Sequence, residues 1–154
     1  MTATFTPSSA LSLQTQYTPT LTTAIKGSDG TPMTAAVSWT FTIQVSFSVT
    51  SRTPAALATG VSPGAAVRAT FSAPVDATTL TASSFTLTRQ GGLQVPGTIT
   101  YDGATRTATL TPSTALSLAA TYVVNLSTAV KATDGTSLTP AVSWTFSTAL
   151  TTPP

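Results

Sequence analysis

The sequence contains no cysteine and no histidine, and its four acidic residues are all aspartates. Thiolate nucleophiles, imidazole bases and zinc sites built from these side chains are therefore excluded. Asp29, Asp102 and Asp134 each precede a glycine, which predicts turns, and Asp76 stands alone. We expect no catalytic residue, no cofactor and no metal ligand. Calcium binding stays an open alternative, but no two aspartates lie within three residues of each other, as clustered calcium ligands would.

Charge of either sign is scarce, at 6% of residues against roughly 25% in an ordinary soluble protein. The six basic residues are scattered singly and form no stripe that could neutralise phosphates, so we expect no nucleic-acid partner.

No stretch approaches the roughly 18 apolar residues of a membrane span. The first nine residues do not resemble a signal peptide, so we expect any export signal or anchor to lie outside this sequence.

Hydrophobic residues make up 41% of the chain and alternate with threonine and serine, which indicates a folded β protein rather than disorder. An internal repeat organises them. Residues 2–41 align without gaps on residues 107–146, with about 25 of 40 positions identical and a constant offset of about 105 residues. A repeat unit of this length has the size of an immunoglobulin-type sandwich.

The repeat divides the chain into unequal parts. We predict that residues 1–44 are the C-terminal half of one module, that residues 45–149 are a complete module, and that residues 150–154 are a Thr/Pro connector. Alternating runs in the complete module predict about seven strands. The predicted inward positions are Val67, Ala69, Phe71, Phe85, Leu87, Ile99, Tyr101, Ala108, Leu110, Tyr122, Val124, Leu126, Val142, Trp144 and Phe146, and the first strand is expected near residues 49–53.

The half-module is expected to keep three strands, near Ala3–Phe5, near Tyr17–Leu21 and from Val37 onward. Residues 37–49 alternate without a break, which predicts one strand running from the half-module into the complete module as a stiff junction. Three strands cannot cover a two-sheet core, so we predict a self-assembly interface at Ile43, Val45, Phe47 and Val49. Trp39 shares the inward parity of its apolar neighbours, as Trp144 does, and both are expected to lie in a core.

The chain resembles the bacterial Ig-like domains of S-layer proteins and surface adhesins, the SbsA-like Ig family. The motifs that carry the resemblance are ATGVSP at 58–63, RATFSAPVDATTLTASSFTLT at 68–88, TYDGATRTATLTPSTALSLAATY at 100–122, and VKATDGT at 130–136 followed by SWTFST at 143–148. The resemblance implies an all-β immunoglobulin-like sandwich on the outside of a bacterial cell, with no catalytic residues to carry over.

Three interpretations of function remain open at this point. The chain is a structural module of a surface stalk or filament, which self-assembles when strands of another chain complete the half-module. Alternatively, it is an adhesin that binds a glycan or a host protein through its loops. A third interpretation is that it is a window of a longer array, so that its partners are neighbouring modules of that array.

Overall fold

The computed structural model describes residues 2–12, 15–43 and 46–151. The chain folds as two compact units, Met1–Val45 and Ser46–Pro154. Both units are built from β-strands, and the described residues contain no α-helix, only a short 3-10 turn at Ala77–Thr79. The predicted all-β fold is confirmed.

The second unit is a sandwich of two four-stranded sheets. One sheet has the order β5-β7-β10-β9 and the other β6-β12-β11-β8, with all pairs antiparallel except β6 and β12. In chain order these strands are β5 (Val49–Thr53), β6 (Ala58–Val61), β7 (Val67–Phe71), β8 (Phe85–Arg89), β9 (Gly97–Asp102), β10 (Thr107–Pro112), β11 (Thr121–Leu126) and β12 (Val142–Thr148).

Alternation of side chains places one apolar row of each strand between the two sheets. On β7, β8 and β11 the predicted inward residues are fully or almost fully buried, and the same holds for β10 and for Trp144 and Phe146 of β12. Ile99, Tyr101 and Val142 are half-buried and pack against this core. The inward positions read from the sequence are therefore confirmed for the complete module.

The described residues of the complete module form eight strands rather than about seven, because the alternation pattern of the sequence did not indicate β6. Its sequence ATGV has no alternating large side chains, and Gly60 takes a positive φ of 68°. The strand exists because it pairs in parallel with β12, placing Ala58 opposite Phe146. That contact joins segments far apart in sequence, so no local pattern indicates it.

The described part of the first unit contains four two-residue strands: β1 (Gln16–Tyr17), β2 (Thr20–Leu21), β3 (Val37–Ser38) and β4 (Phe41–Thr42). β1 pairs with β4 and β2 pairs with β3, so together they form one interrupted hairpin. By the repeat offset this hairpin corresponds to β11 and β12, which are continuous over six residue pairs. The half-module thus holds two of the three predicted strand regions.

The interruption of the hairpin has a cause in the sequence. Pro19 stands where β11 has Val124, and proline has no backbone N–H. Trp39 donates its N–H to the carbonyl of Pro19 (3.3 Å), but Pro19 cannot donate in return. One backbone hydrogen bond of the antiparallel pair is therefore missing between the β1–β4 and β2–β3 pairs, where the hairpin is interrupted.

Two predictions about the half-module are wrong. Residues 2–12 contain no strand: their counterparts in β10 pair with β7 and β9, and no described residue of the first unit pairs with residues 2–12 in that way. The uninterrupted strand from residue 37 to 49 is also absent from the described residues, which show strands only at 37–38, 41–42 and from 49 onward. The two ends of that run pair with different partners, β4 with β1 and β5 with β7.

Candidate interaction surface

The half-module reproduces the local geometry of its counterpart in the complete module. The rings of Tyr17 and Phe41 stack with centroids 5.8 Å apart, and those of Tyr122 and Phe146 stack at 5.7 Å. The phenolic oxygen of Tyr17 accepts the N–H of Ser12 at 2.8 Å, as that of Tyr122 accepts the N–H of Ser117. Such bonds are short-range in sequence, so they form in both copies.

The turn that closes each hairpin is also repeated. Asp29 Oδ1 accepts the N–H of Thr31 at 3.0 Å, and Asp134 Oδ1 accepts the N–H of Thr136 at 2.9 Å. The hydrogen bond from the Thr31 backbone, followed by that from its hydroxyl, lowers the pKa of Asp29 below its usual value. The predicted role of these aspartates in turns is confirmed.

The two remaining aspartates also act on their own loops. Asp102 accepts the hydroxyl of Thr105 at 2.7 Å and the N–H of Ala104 at 2.9 Å, and these bonds lower its pKa. Asp76 accepts the hydroxyl and the N–H of Thr78, which lowers its pKa in the same way. Within the described residues no three acidic, histidine or cysteine side chains converge as a metal ligand set.

The copies differ in how far their apolar side chains are covered. Trp144 is 4% exposed and Phe146 is 1% exposed, whereas the corresponding Trp39 and Phe41 are 50% and 39% exposed. Phe5 is 88% exposed, although its counterpart Leu110 is buried. The prediction of a core position is therefore correct for Trp144 and wrong for Trp39. The parity of Trp39 is as predicted, but the strands that would cover it have no equivalent in the half-module.

The contacts of Trp144 show what Trp39 lacks. Its indole Nε1 donates to the carbonyl of Pro54 at 3.0 Å, and the guanidinium of Arg52 lies over the ring at 5.7 Å from the centroid. Arg52 lies in β5, and Pro54 directly follows that strand.

We call the exposed apolar set the half-module face and define it as Ile25, Val37, Trp39 and Phe41, which are all exposed. Their counterparts Val130, Trp144 and Phe146 lie in the core of the complete module, and that of Val37 packs against this core. A cluster of large apolar side chains on a surface is typical of an interaction site.

The four residues predicted for self-assembly lie in different environments. Ile43 is half-buried and donates its N–H to the carbonyl of Thr15 at 3.2 Å, while Val45 lies outside the described residues. Phe47 is 1% exposed and stacks on Phe71 with ring centroids 5.3 Å apart. Val49 is half-buried and lies opposite Phe71 in the β5–β7 pair. Phe47 and Val49 thus pack within the complete module, while the half-module face exposes its apolar side chains.

A second surface feature is a shallow concavity of about 590 Å³ on the sheet β5-β7-β10-β9. Arg68 and the hydroxyls of Thr53, Thr100 and Thr109 lie across it in one row of cross-strand neighbours. Asp102 also lines it. The lining is polar, and the sequence alone did not indicate it, because the row joins four strands.

No helix among the described residues has the length and apolarity to cross a membrane.

Two packed sheets with this strand order define an immunoglobulin-like β-sandwich, and the first unit repeats its β11–β12 hairpin in interrupted form. The chain belongs to the bacterial Ig-like domain family, whose model matches residues 1–43 and again residues 44–148. No curated protein sequence matches the chain.

Solved structures share the fold at low sequence identity. The S-layer protein rSbsC(31-844) is 22% identical with a TM-score of 0.53, over 71% of this chain and 14% of that one. PcoC, a copper resistance protein from Escherichia coli, is 18% identical with a TM-score of 0.52, over 65% of this chain and 97% of that one. CopC from Methylosinus trichosporium OB3b is 19% identical with a TM-score of 0.52, over 67% and 93%. The match thus spans about a seventh of the S-layer protein's length.

Proposed function

We propose that this chain is a structural module of a bacterial surface stalk or filament, and that it self-assembles through its half-module. The observation that carries the proposal is the exposure of Trp39 and Phe41, whose counterparts are almost fully buried in the same chain. Membership in the bacterial Ig-like family and the likeness to an S-layer protein support a surface role. The low charge and the hydroxyl-rich composition suit a structural part better than an enzyme.

The partner that we propose for the half-module face is the same face of a second copy. The strands of the complete module cannot serve, because Phe85 and Leu87 of β8 and Val67 of β7 have no exposed surface and would have to leave a finished core. Two half-module faces can meet without opening either complete module. Their association buries apolar surface that each copy otherwise leaves in water.

Sedimentation velocity and light scattering test this proposal. We expect association that increases with concentration for the native chain, and a monomer for the double substitution Trp39→Ser, Phe41→Ser. The matched control replaces Leu57 and Leu93, equally apolar and 80% and 89% exposed on the complete unit, by serine, and it should associate like the native chain. A native chain that stays monomeric throughout the micromolar range, or a face variant that associates like the control, contradicts self-assembly through this face.

The polar concavity supports a second candidate function, an adhesin that binds a glycan, though on a sheet face rather than on loops. A concavity lined by hydroxyls and by the guanidinium groups of Arg52 and Arg68 offers the hydrogen-bonding groups that saccharides need. Glycan-array binding tests the idea, with Arg68→Ala expected to abolish any signal and Arg89→Ala, outside the concavity, expected to keep it. A signal that survives Arg68→Ala would place glycan binding elsewhere.

A further inference from the structure

Among the described residues, no strand pairs with the outer edge of the segment 16–21 in the half-module. In an antiparallel sheet, the N–H and C=O of successive residues point to opposite sides of the strand. Trp39 pairs with the carbonyl of Pro19 and Ile43 with that of Thr15, so residues 15, 17 and 19 direct their backbone groups into the hairpin. Residues 16, 18 and 20 therefore direct theirs outward, toward the open edge.

The complete module shows which strand occupies the equivalent edge. There β8 runs antiparallel to β11, with Thr88 opposite Val123 and Thr86 opposite Asn125. Bonds at both ends of the pair fix this register: Gln90 donates its N–H to the carbonyl of Thr121 at 2.9 Å, and Ser127 donates to that of Ser84 at 2.9 Å. The same chain thus contains one copy of the edge with its strand and one copy without it.

The substitutions between the copies keep the edge competent to pair. Val123 and Asn125 correspond to Thr18 and Thr20, and both retain a backbone N–H. Pro19 lacks one, but the missing donor belongs to the hairpin side, where Trp39 lies. Proline therefore interrupts the internal ladder and leaves the donors of the outer edge intact.

We propose that the edge formed by residues 16–21 binds an extended segment of the β8 type in antiparallel orientation, with Thr88 opposite Thr18 and Thr86 opposite Thr20. In this register Phe85 of the segment lies opposite Leu21 and Leu87 lies opposite Pro19, so its large apolar side chains join the core side of the hairpin. A strand with the alternation of FTLTR satisfies both requirements: backbone groups for the edge and apolar side chains toward the half-module face.

The occupant is the N-terminal part of an Ig-like module that its own C-terminal half does not hold. A folded second copy cannot supply this strand, because its Phe85 and Leu87 are fully buried. The bound strand uses the backbone edge and also lays its apolar side chains toward the half-module face, so it competes with the pairing of two copies there. Cross-linking reports the register of the strand and sedimentation reports self-association, so failure of one proposal is distinguishable from failure of the other.

Cysteine pairing tests the register, and the absence of native cysteine keeps the result unambiguous. The full chain carries Thr18→Cys or Thr20→Cys, and a synthetic peptide of residues 81–90 carries cysteine in place of Thr86 or Thr88. Under reversible thiol exchange, we expect the pairs 18 with 88 and 20 with 86 to form several-fold more mixed disulfide than 18 with 86 and 20 with 88. Directly opposed residues have the Cα separation that a disulfide needs, whereas a shift of two residues does not.

The complete module supplies the matched control. Asn125→Cys occupies the same position as Thr20→Cys, but β8 already lies beside it, so the peptide should not react there above the level of a scrambled peptide. A peptide with Phe85 and Leu87 replaced by threonine should lose the preference for register. Equal yields in all four combinations, or yields no higher than for Asn125→Cys, would overturn the proposal. In a Trp39→Phe background, unchanged fluorescence of buried Trp144 verifies that the complete unit of each variant remains folded.

Discussion

Phe41 and Phe146 occupy equivalent positions of the repeat and make the same local contact. Replacing each by alanine therefore measures how much burial by other strands contributes to stability. Both stack on a tyrosine at nearly the same distance, but Phe146 is 1% exposed and Phe41 is 39% exposed. Truncating a buried phenylalanine costs about 3–5 kcal/mol. We expect Phe146→Ala to lower the free energy of unfolding of the complete unit by that amount. Phe41→Ala should leave it unchanged to within about 0.5 kcal/mol, since Phe41 belongs to the other unit.

The assay is urea unfolding followed by the fluorescence of Trp144, in a Trp39→Phe background so that a single tryptophan reports. With a denaturant slope of about 1–3 kcal/mol per molar urea, Phe146→Ala should lower the midpoint by at least about 1 M. Should that variant fail to fold, Phe146→Leu provides a milder loss of roughly 1 kcal/mol. If Phe41→Ala destabilised the complete unit as strongly as Phe146→Ala, the two units would share one core and the half-module face would not be free.

Three further predictions concern single residues. Gly97→Ala should destabilise the complete unit by about 1–3 kcal/mol in urea unfolding, because its Cβ would lie 2.6 Å from a carbonyl oxygen of β10, whereas Gly64→Ala, with nothing within 4 Å, should be neutral. Asp102→Asn removes a carboxylate of lowered pKa, whose contribution to stability is present above about pH 4 and lost as the pH falls through the folded-state pKa. The difference in melting temperature between native chain and variant should therefore shrink toward acid, and a difference constant with pH would contradict this. Pro19→Val should restore the missing hairpin bond and slow amide hydrogen exchange across the hairpin, while Thr18→Val should not.

The sequence alone predicted the inward rows of the complete module because alternation is a property of each strand by itself. Alternation within each strand was enough to predict the buried positions of Val67, Phe85 and Leu110. The repeat likewise indicated that the chain holds the same hairpin twice. By contrast, β6 was missed, since its pairing with β12 is a contact between distant segments and its four residues carry no alternating pattern.

The interaction surface shows the same division. Composition and the repeat determined that the chain is an all-β protein that contains the same hairpin twice, and the parity of Trp39 was evident from its neighbours. Whether Trp39 is covered depends on strands that are not adjacent to it in sequence, so only the tertiary structure could separate it from Trp144. The open edge at residues 16–21 was decided in the same way, because a strand edge is defined by the neighbour it lacks.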